Sequence, residues 1–142
     1  MATALVVQTG DSIDNQLLEA AATYARGTDT DVVLCLAFDK KRIQNDLQRR
    51  ARPDRTLDEL QRVARENAES SAKAAFGEEV PYTIREEVGS LPAAVIELAD
   101  ELGSEHLFVS GKRRSPAGKA IFGDVAQSLI LDFDGPVTVL TA

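Results

Sequence analysis

Apolar residues in this chain repeat with two different periods, and the two alternate along its length. Leu5-Val6-Val7 and Val32-Val33-Leu34-Cys35-Leu36-Ala37-Phe38 are near-continuous apolar runs, the pattern of strands covered on both faces. Tyr82-Thr83-Ile84-Arg85, His106-Leu107-Phe108-Val109 and Val137-Thr138-Val139-Leu140 complete five strand candidates. Helical spacing fills the intervals. The first helix places Ile13, Leu17, Leu18, Ala21, Tyr24 and Ala25 on one face, with Asp11 or Ser12 as its cap and Gly27 as its stop. The second opens with the capping-box pattern Thr56-Leu57-Asp58-Glu59 and runs through Leu60, Val63, Ala64, Ala68 and Ala75 to Gly77. The third takes Ser90 as cap and Pro92 in its first turn, carries Val95, Leu98, Ala99 and Leu102, and ends at Gly103. A fourth starts near Gly123-Asp124 and carries Val125, Ala126, Leu129 and Ile130. The order βαβαβαβαβ predicts an α/β fold: a parallel sheet with right-handed crossovers and helices on both faces. The charged stretch from Asp39 to Arg55 is expected to be a loop with a short polar helix around Ile43 and Leu47.

At 142 residues the chain fits one domain, and residues 1–142 are read as such, with no repeat or linker. No apolar run approaches the ~18 residues that a membrane-spanning helix needs. The first residues, Met1 to Val7, carry no basic stretch before the strand pattern begins, so the chain is expected in the cytoplasm. A single cysteine, Cys35, excludes an intrachain disulfide and a zinc framework. It lies within an apolar run and is expected to be a buried small hydrophobe. Net charge is −7. An acidic body disfavours nucleic acid as a general partner, and its composition suits a high-salt cytosol of the halophilic archaeal kind. The basic residues are nevertheless grouped: seven lie from Lys40 to Arg55 and four from Lys112 to Lys119. Such local concentrations can attract a small anion.

In doubly wound sheets, ligands sit outside the carboxyl ends of the strands where the winding reverses. With a strand order of 3-2-1-4-5, that reversal falls between strands 1 and 4. The loops meeting there are Thr9-Gly10-Asp11-Ser12 and the stretch from Ser110 to Gly123. The second contains Gly111, Gly118 and Gly123 together with Lys112, Arg113, Arg114 and Lys119, and leads into Asp124-Val125 at the fourth helix. Small residues let the backbone wrap an anion, and a helix start supplies unpaired N–H donors. This loop is the candidate anion site.

These residues also carry a family resemblance. From Leu5 to Leu140 the chain is similar to the universal stress protein family, whose nucleotide-binding members have a glycine after strand 4, two residues, a second glycine, nine residues, a third glycine, then serine or threonine. Gly111 stands at the first of these positions and Gly123 at the last glycine. Asp124-Val125-Ala126-Gln127-Ser128 and Gly135-Pro136-Val137-Thr138-Val139-Leu140 follow, like the family's last helix and its Cys-Pro-Val-Leu-Val-Val strand. Thr9-Gly10-Asp11 stands where the family has Asp-Gly-Ser at the end of strand 1. There are departures. Arg114 replaces the second glycine, eight residues separate it from Gly123, and Asp124 replaces the serine or threonine. Thr9 stands where the nucleotide-binding members place an acid against adenine, Ala37 matches their backbone contact at the end of strand 2, and Gly118 is an extra glycine.

The resemblance implies a Rossmann-like, adenine nucleotide alpha hydrolase-like sheet of order 3-2-1-4-5. It further implies a stress-response homodimer paired through Pro136 to Leu140, with a small phosphorylated or anionic ligand at Thr9, Gly10, Asp11, Ala37 and the loop from Gly111 to Val125. Given the departures, ATP is expected to bind weakly, if at all, and no catalytic residues are assigned. A slow ATP hydrolase and an interaction protein without a ligand are the alternatives. Nothing else in the chain builds a site. His106, the only histidine, is expected to be structural, with no triad around it. Glu86 and Glu87 should face opposite sides of their strand. Asp11, Asp39 and Asp124 could approach one another at the sheet edge, but no metal is expected.

Overall fold

The computed structural model describes residues 2–9, 13–40, 57–111 and 124–141. Five strands, β1 (Thr3–Thr9), β2 (Asp31–Asp39), β3 (Tyr82–Gly89), β4 (His106–Ser110) and β5 (Val137–Leu140), form one sheet of order β3-β2-β1-β4-β5. Every pairing is parallel, with Leu5 opposite both Val33 and Leu107, Leu34 opposite Ile84, and Val109 opposite Val139. Four helices lie between the strands: α1 (Asn15–Thr28), α2 (Leu57–Phe76), α3 (Ala93–Leu102) and α4 (Asp124–Asp132). Element type and strand order are as the sequence predicts.

The two faces of the sheet bury separate cores, because alternate strand residues point to opposite sides. On one side Ala4, Val6, Leu34, Leu36, Phe38 and Phe108 pack with Leu17, Leu18, Ala21 and Ala25 of α1 and Ala64, Ala68, Ala72 and Phe76 of α2. Alanines on both helices allow their backbones to come close. On the other side Leu5, Val7, Val33, Cys35, Leu107 and Val109 pack with Val95, Leu98 and Ala99 of α3 and Leu129 of α4. Cys35 is fully buried and its thiol is pushed up to about 12, first by desolvation and then by the Glu87 carboxylate. It is the inert hydrophobe expected from the sequence.

Local punctuation differs from expectation in four places. The cap of α1 is Asp14, whose carboxylate accepts from the N–H groups of Gln16 (3.1 Å) and Leu17 (3.4 Å). Ile13 therefore precedes the helix, though it still packs on the core. Asp11, Ser12 and Asp14 are all good capping types, and only tertiary contacts decide among them. Gly27 does not stop α1; the helix continues through Thr28 to Asp29, which takes the left-handed conformation at φ 54°. Aspartate tolerates that region better than most residues. Pro92 stands at the cap of α3 rather than in its first turn, and Ser90 contributes its carbonyl to the N–H of Ala94 (3.1 Å). Val63 is 42% exposed, on the outer side of α2. The expected short helix around Ile43 and Leu47 lies outside the described residues, as does Thr56 of the capping box.

The outer strands of the sheet differ chemically. β3 carries Arg85, Glu86 and Glu87; Glu86 pairs with Arg65 of α2 (2.6 Å), while Glu87 pairs with Arg85 two residues before it (3.2 Å). The two glutamates thus use different arginines and form no carboxylate pair. Charges of this kind blunt a sheet edge. On β5 the half-buried residues are Val137, Thr138, Val139 and Leu140, an apolar edge with no lysine.

The turn into β5 is tightly made. Gly135 has φ 151°, and a Cβ there would stand 2.9 Å from Cε2 of Phe133 and 3.3 Å from the Glu105 carbonyl oxygen. Gly135→Ala is expected to lower stability by about 1–3 kcal/mol, measured by denaturant unfolding at an unchanged m-value. A loss under ~0.5 kcal/mol, the scale of a neutral surface change, would show that the turn relaxes freely.

Candidate functional site

The winding of the sheet reverses between β1 and β4, so the carboxyl ends of these strands border the crevice in which such sheets hold ligands. Thr9 ends β1 and is exposed; Ala37 lies opposite it on β2 and is fully buried. Both continue the alternation of Val7 and Cys35, so they belong to the α3/α4 side of the sheet. Val7 lies opposite Val109, and Gly111 follows two residues after Val109 just as Thr9 follows Val7. Val125, in the first turn of α4, packs against the same core. Thr9, Ala37, Gly111 and Val125 are therefore gathered at one end of one side of the sheet. Asp124 is the first residue of α4. Gly10, Asp11, Lys112, Arg113, Arg114, Gly118, Lys119 and Gly123 lie outside the described residues.

Gly111 has a packing role of its own. Its N–H donates to the Leu140 carbonyl (2.7 Å), and a Cβ would meet Val139 Cγ1 at 3.0 Å, the Leu140 oxygen at 3.1 Å and Thr141 Cγ2 at 3.3 Å. The glycine that follows β4 is thus demanded by the close approach of β5.

Sequence reasoning missed three polar residues at this end of the sheet. Gln8 is 3% exposed, among apolar neighbours. Its carboxamide donates to the Val7 carbonyl (3.0 Å) and to Ser110 Oγ (3.2 Å), while its Oε1 accepts from the N–H of Asp14. Ser110 in turn donates to Asp14 Oδ2 (3.3 Å). The signal available in sequence was a glutamine closing the apolar run Leu5-Val6-Val7 on a central strand, where a buried amide must find partners. These bonds also direct attention away from α1 as an anion site. The N–H groups of Asp14, Gln16 and Leu17 already have acceptors, leaving the start of α4 as the other helix terminus bordering the crevice.

His106 lies at the opposite, amino end of β4. Its Nε2 is 2.7 Å from Thr138 Oγ1, and its ring stands 4.5 Å from those of both Tyr24 and Phe108. Burial lowers its basicity. It ties β4 to β5 and takes no part in the crevice. Among the described residues no group of three or more His, Cys, Asp or Glu side chains is placed to hold a metal ion, and no helix is long and apolar enough to cross a membrane.

The family model described as the universal stress protein family matches residues 1–141. The chain belongs to the universal stress protein family. No curated protein matches it significantly. Among solved structures, it is similar to a universal stress protein from Archaeoglobus fulgidus, with a TM-score of 0.73, 22% identity, and 98% of this chain and 97% of that one covered. The Archaeoglobus fulgidus universal stress protein in complex with dAMP gives a TM-score of 0.68 at 20% identity, covering 98% and 96%. A universal stress protein in complex with cAMP gives 0.60 at 20% identity, covering 99% and 98%. At these identities the likeness speaks for the universal stress protein fold.

Proposed function

We propose that this chain is a cytoplasmic binding and regulatory member of its family, acting in a stress response as a homodimer rather than as a catalyst. It forms one domain and holds a small phosphorylated or anionic ligand at the loop that joins β4 to α4. The observation that carries the reading is the convergence of Thr9, Ala37, Gly111 and Val125 at the winding reversal, in a fold whose solved relatives include complexes with dAMP and cAMP. The loop's lysines and arginines supply positive charge that the acidic remainder of the chain lacks. ATP is a candidate ligand but a weak one. The β5 edge supports the dimer, since Val137 and Val139 turn backbone groups away from β4, beside apolar side chains.

If Lys112, Arg113, Arg114 and Lys119 hold an anion, sulfate or a polyphosphate should raise the melting temperature by mass action. Saturation at 100 times the dissociation constant corresponds to about 2.7 kcal/mol. Arg114→Ala combined with Lys119→Ala should abolish the rise, at an ionic strength held constant with chloride. An equal rise in the double variant would mean general salt stabilisation of an acidic surface and would end this reading. Turnover of ATP by the purified chain would move it toward a slow hydrolase.

A further inference from the structure

The carboxyl ends of β1 and β4 border the crevice, and they are joined by side chains far apart in sequence. Ser110 ends β4 and Asp14 precedes α1; they meet through Ser110 Oγ and Asp14 Oδ2 at 3.3 Å. Gln8, at the end of β1, donates to the same Ser110 hydroxyl at 3.2 Å and accepts the Asp14 N–H through its Oε1. The circuit is closed. One hydroxyl receives from Gln8 and gives to Asp14, and Gln8 holds the backbone of the residue whose side chain Ser110 holds. Asp14 then passes the constraint into α1 through the N–H groups of Gln16 and Leu17. In networks of this kind each member fixes the orientation of the next, so removing one loosens the others.

We propose that Ser110 is a positioning residue that couples the end of β4 to the start of α1, so that the two shift as one unit when a ligand occupies the crevice. Ser110 itself holds no ligand in this account. Its hydroxyl is directed to the α1 side of the sheet, whereas Thr9, Ala37 and Val125 lie toward α3 and α4. Gly111 follows Ser110 directly, so displacement of the loop root by an anion must pull on the Ser110 hydroxyl and, through it, on Asp14. The coupling rests on the anion site proposed above; the hydrogen-bond circuit does not.

Both parts are tested by amide NMR on the full chain. Without ligand, Ser110→Ala should make the Asp14 amide exchange about tenfold faster, equivalent to ~1.4 kcal/mol, while the Leu34 and Leu107 amides in the core keep their rates. Unchanged exchange at Asp14, or equal acceleration everywhere, overturns the circuit. With inorganic tripolyphosphate at constant ionic strength, the native amides of Gly111, Asp14, Gln16 and Leu17 should shift along one saturation curve. In Ser110→Ala the α1 shifts should vanish while the Gly111 shift remains, and Ser110→Thr should restore them. Shifts at α1 that survive in Ser110→Ala, or a native Gly111 shift with none at α1, overturn the coupling. If Gly111 does not shift in the native chain, the anion site and the coupling built on it fall together, and the exchange rates still decide the circuit.

Discussion

Replacing Val139 with proline is expected to convert a dimer of this chain into monomers while the fold survives. The backbone of β5 determines why. Leu107 donates to the Pro136 carbonyl (3.0 Å) and Gly111 to the Leu140 carbonyl (2.7 Å), so the even-numbered residues of this edge serve the ladder with β4. In a parallel pair, the residues between them turn their backbone groups the other way. Val137 and Val139 therefore offer N–H and C=O to the open edge. Proline at position 139 removes an outward donor and adds ring bulk there, without taking a bond from the ladder, and proline is tolerated on edge strands for that reason. In a two-fold interface each substitution acts twice. Two lost bonds at ~1 kcal/mol each, with the ring's bulk added, should raise the dimer dissociation constant by about a hundredfold or more. Sedimentation of the native chain at micromolar concentration should show a particle of twice 15.3 kDa. The proline variant should sediment as the single chain with a near-native far-ultraviolet spectrum. A native monomer, or a variant that stays dimeric, would remove β5 as the interface.

The second large effect is expected from Asp124→Ser. Asp124 opens α4, and the start of a helix, with its dipole and free N–H groups, favours a negative ligand. A carboxylate at that position is a competing anion, and aspartate is among the preferred residues at helix starts. Two unit charges ~4 Å apart repel by about 4 kcal/mol at an effective dielectric of ~20, and nearby cations and water reduce this. A residue of ~1.4 kcal/mol would already weaken a phosphate ligand tenfold. Calorimetry should give an ATP dissociation constant well above micromolar for the native chain and about tenfold lower for Asp124→Ser. Equal affinities would show that the charge at the start of α4 does not govern binding.

How much of this was legible in the sequence depended on how local the signal was. The strands were legible because burial on both faces leaves continuous apolar runs, as in Val32 to Phe38, and no other element of that length reads so. Their order then placed Thr9 beside Ala37 and both near Gly111. Single-residue punctuation was less legible. Gly27 has the type expected of a helix stop, yet the helix passes through it, because Asp29 can take the left-handed turn two residues later. The choice of Asp14 over Asp11 or Ser12 depends on Gln8 and Ser110, which approach it only after β1 and β4 have paired. For the same reason the sequence around Gly111 points to a ligand glycine alone. Its contacts with Val139 and Leu140 come from a strand that follows a helix and a loop later. Long-range polar contacts of this sort leave almost no trace in local composition.

The function proposed for the crevice depends on where an anion sits. The most direct measurement is a crystal structure of the native chain grown or soaked with ATP at concentrations well above its dissociation constant. The expected result is triphosphate density on the α3/α4 side of the crevice, between Gly111 and Val125, with Ser110 still bonded to Asp14. Density at another part of the surface, or none beside Gly111 at saturating ATP, would contradict it.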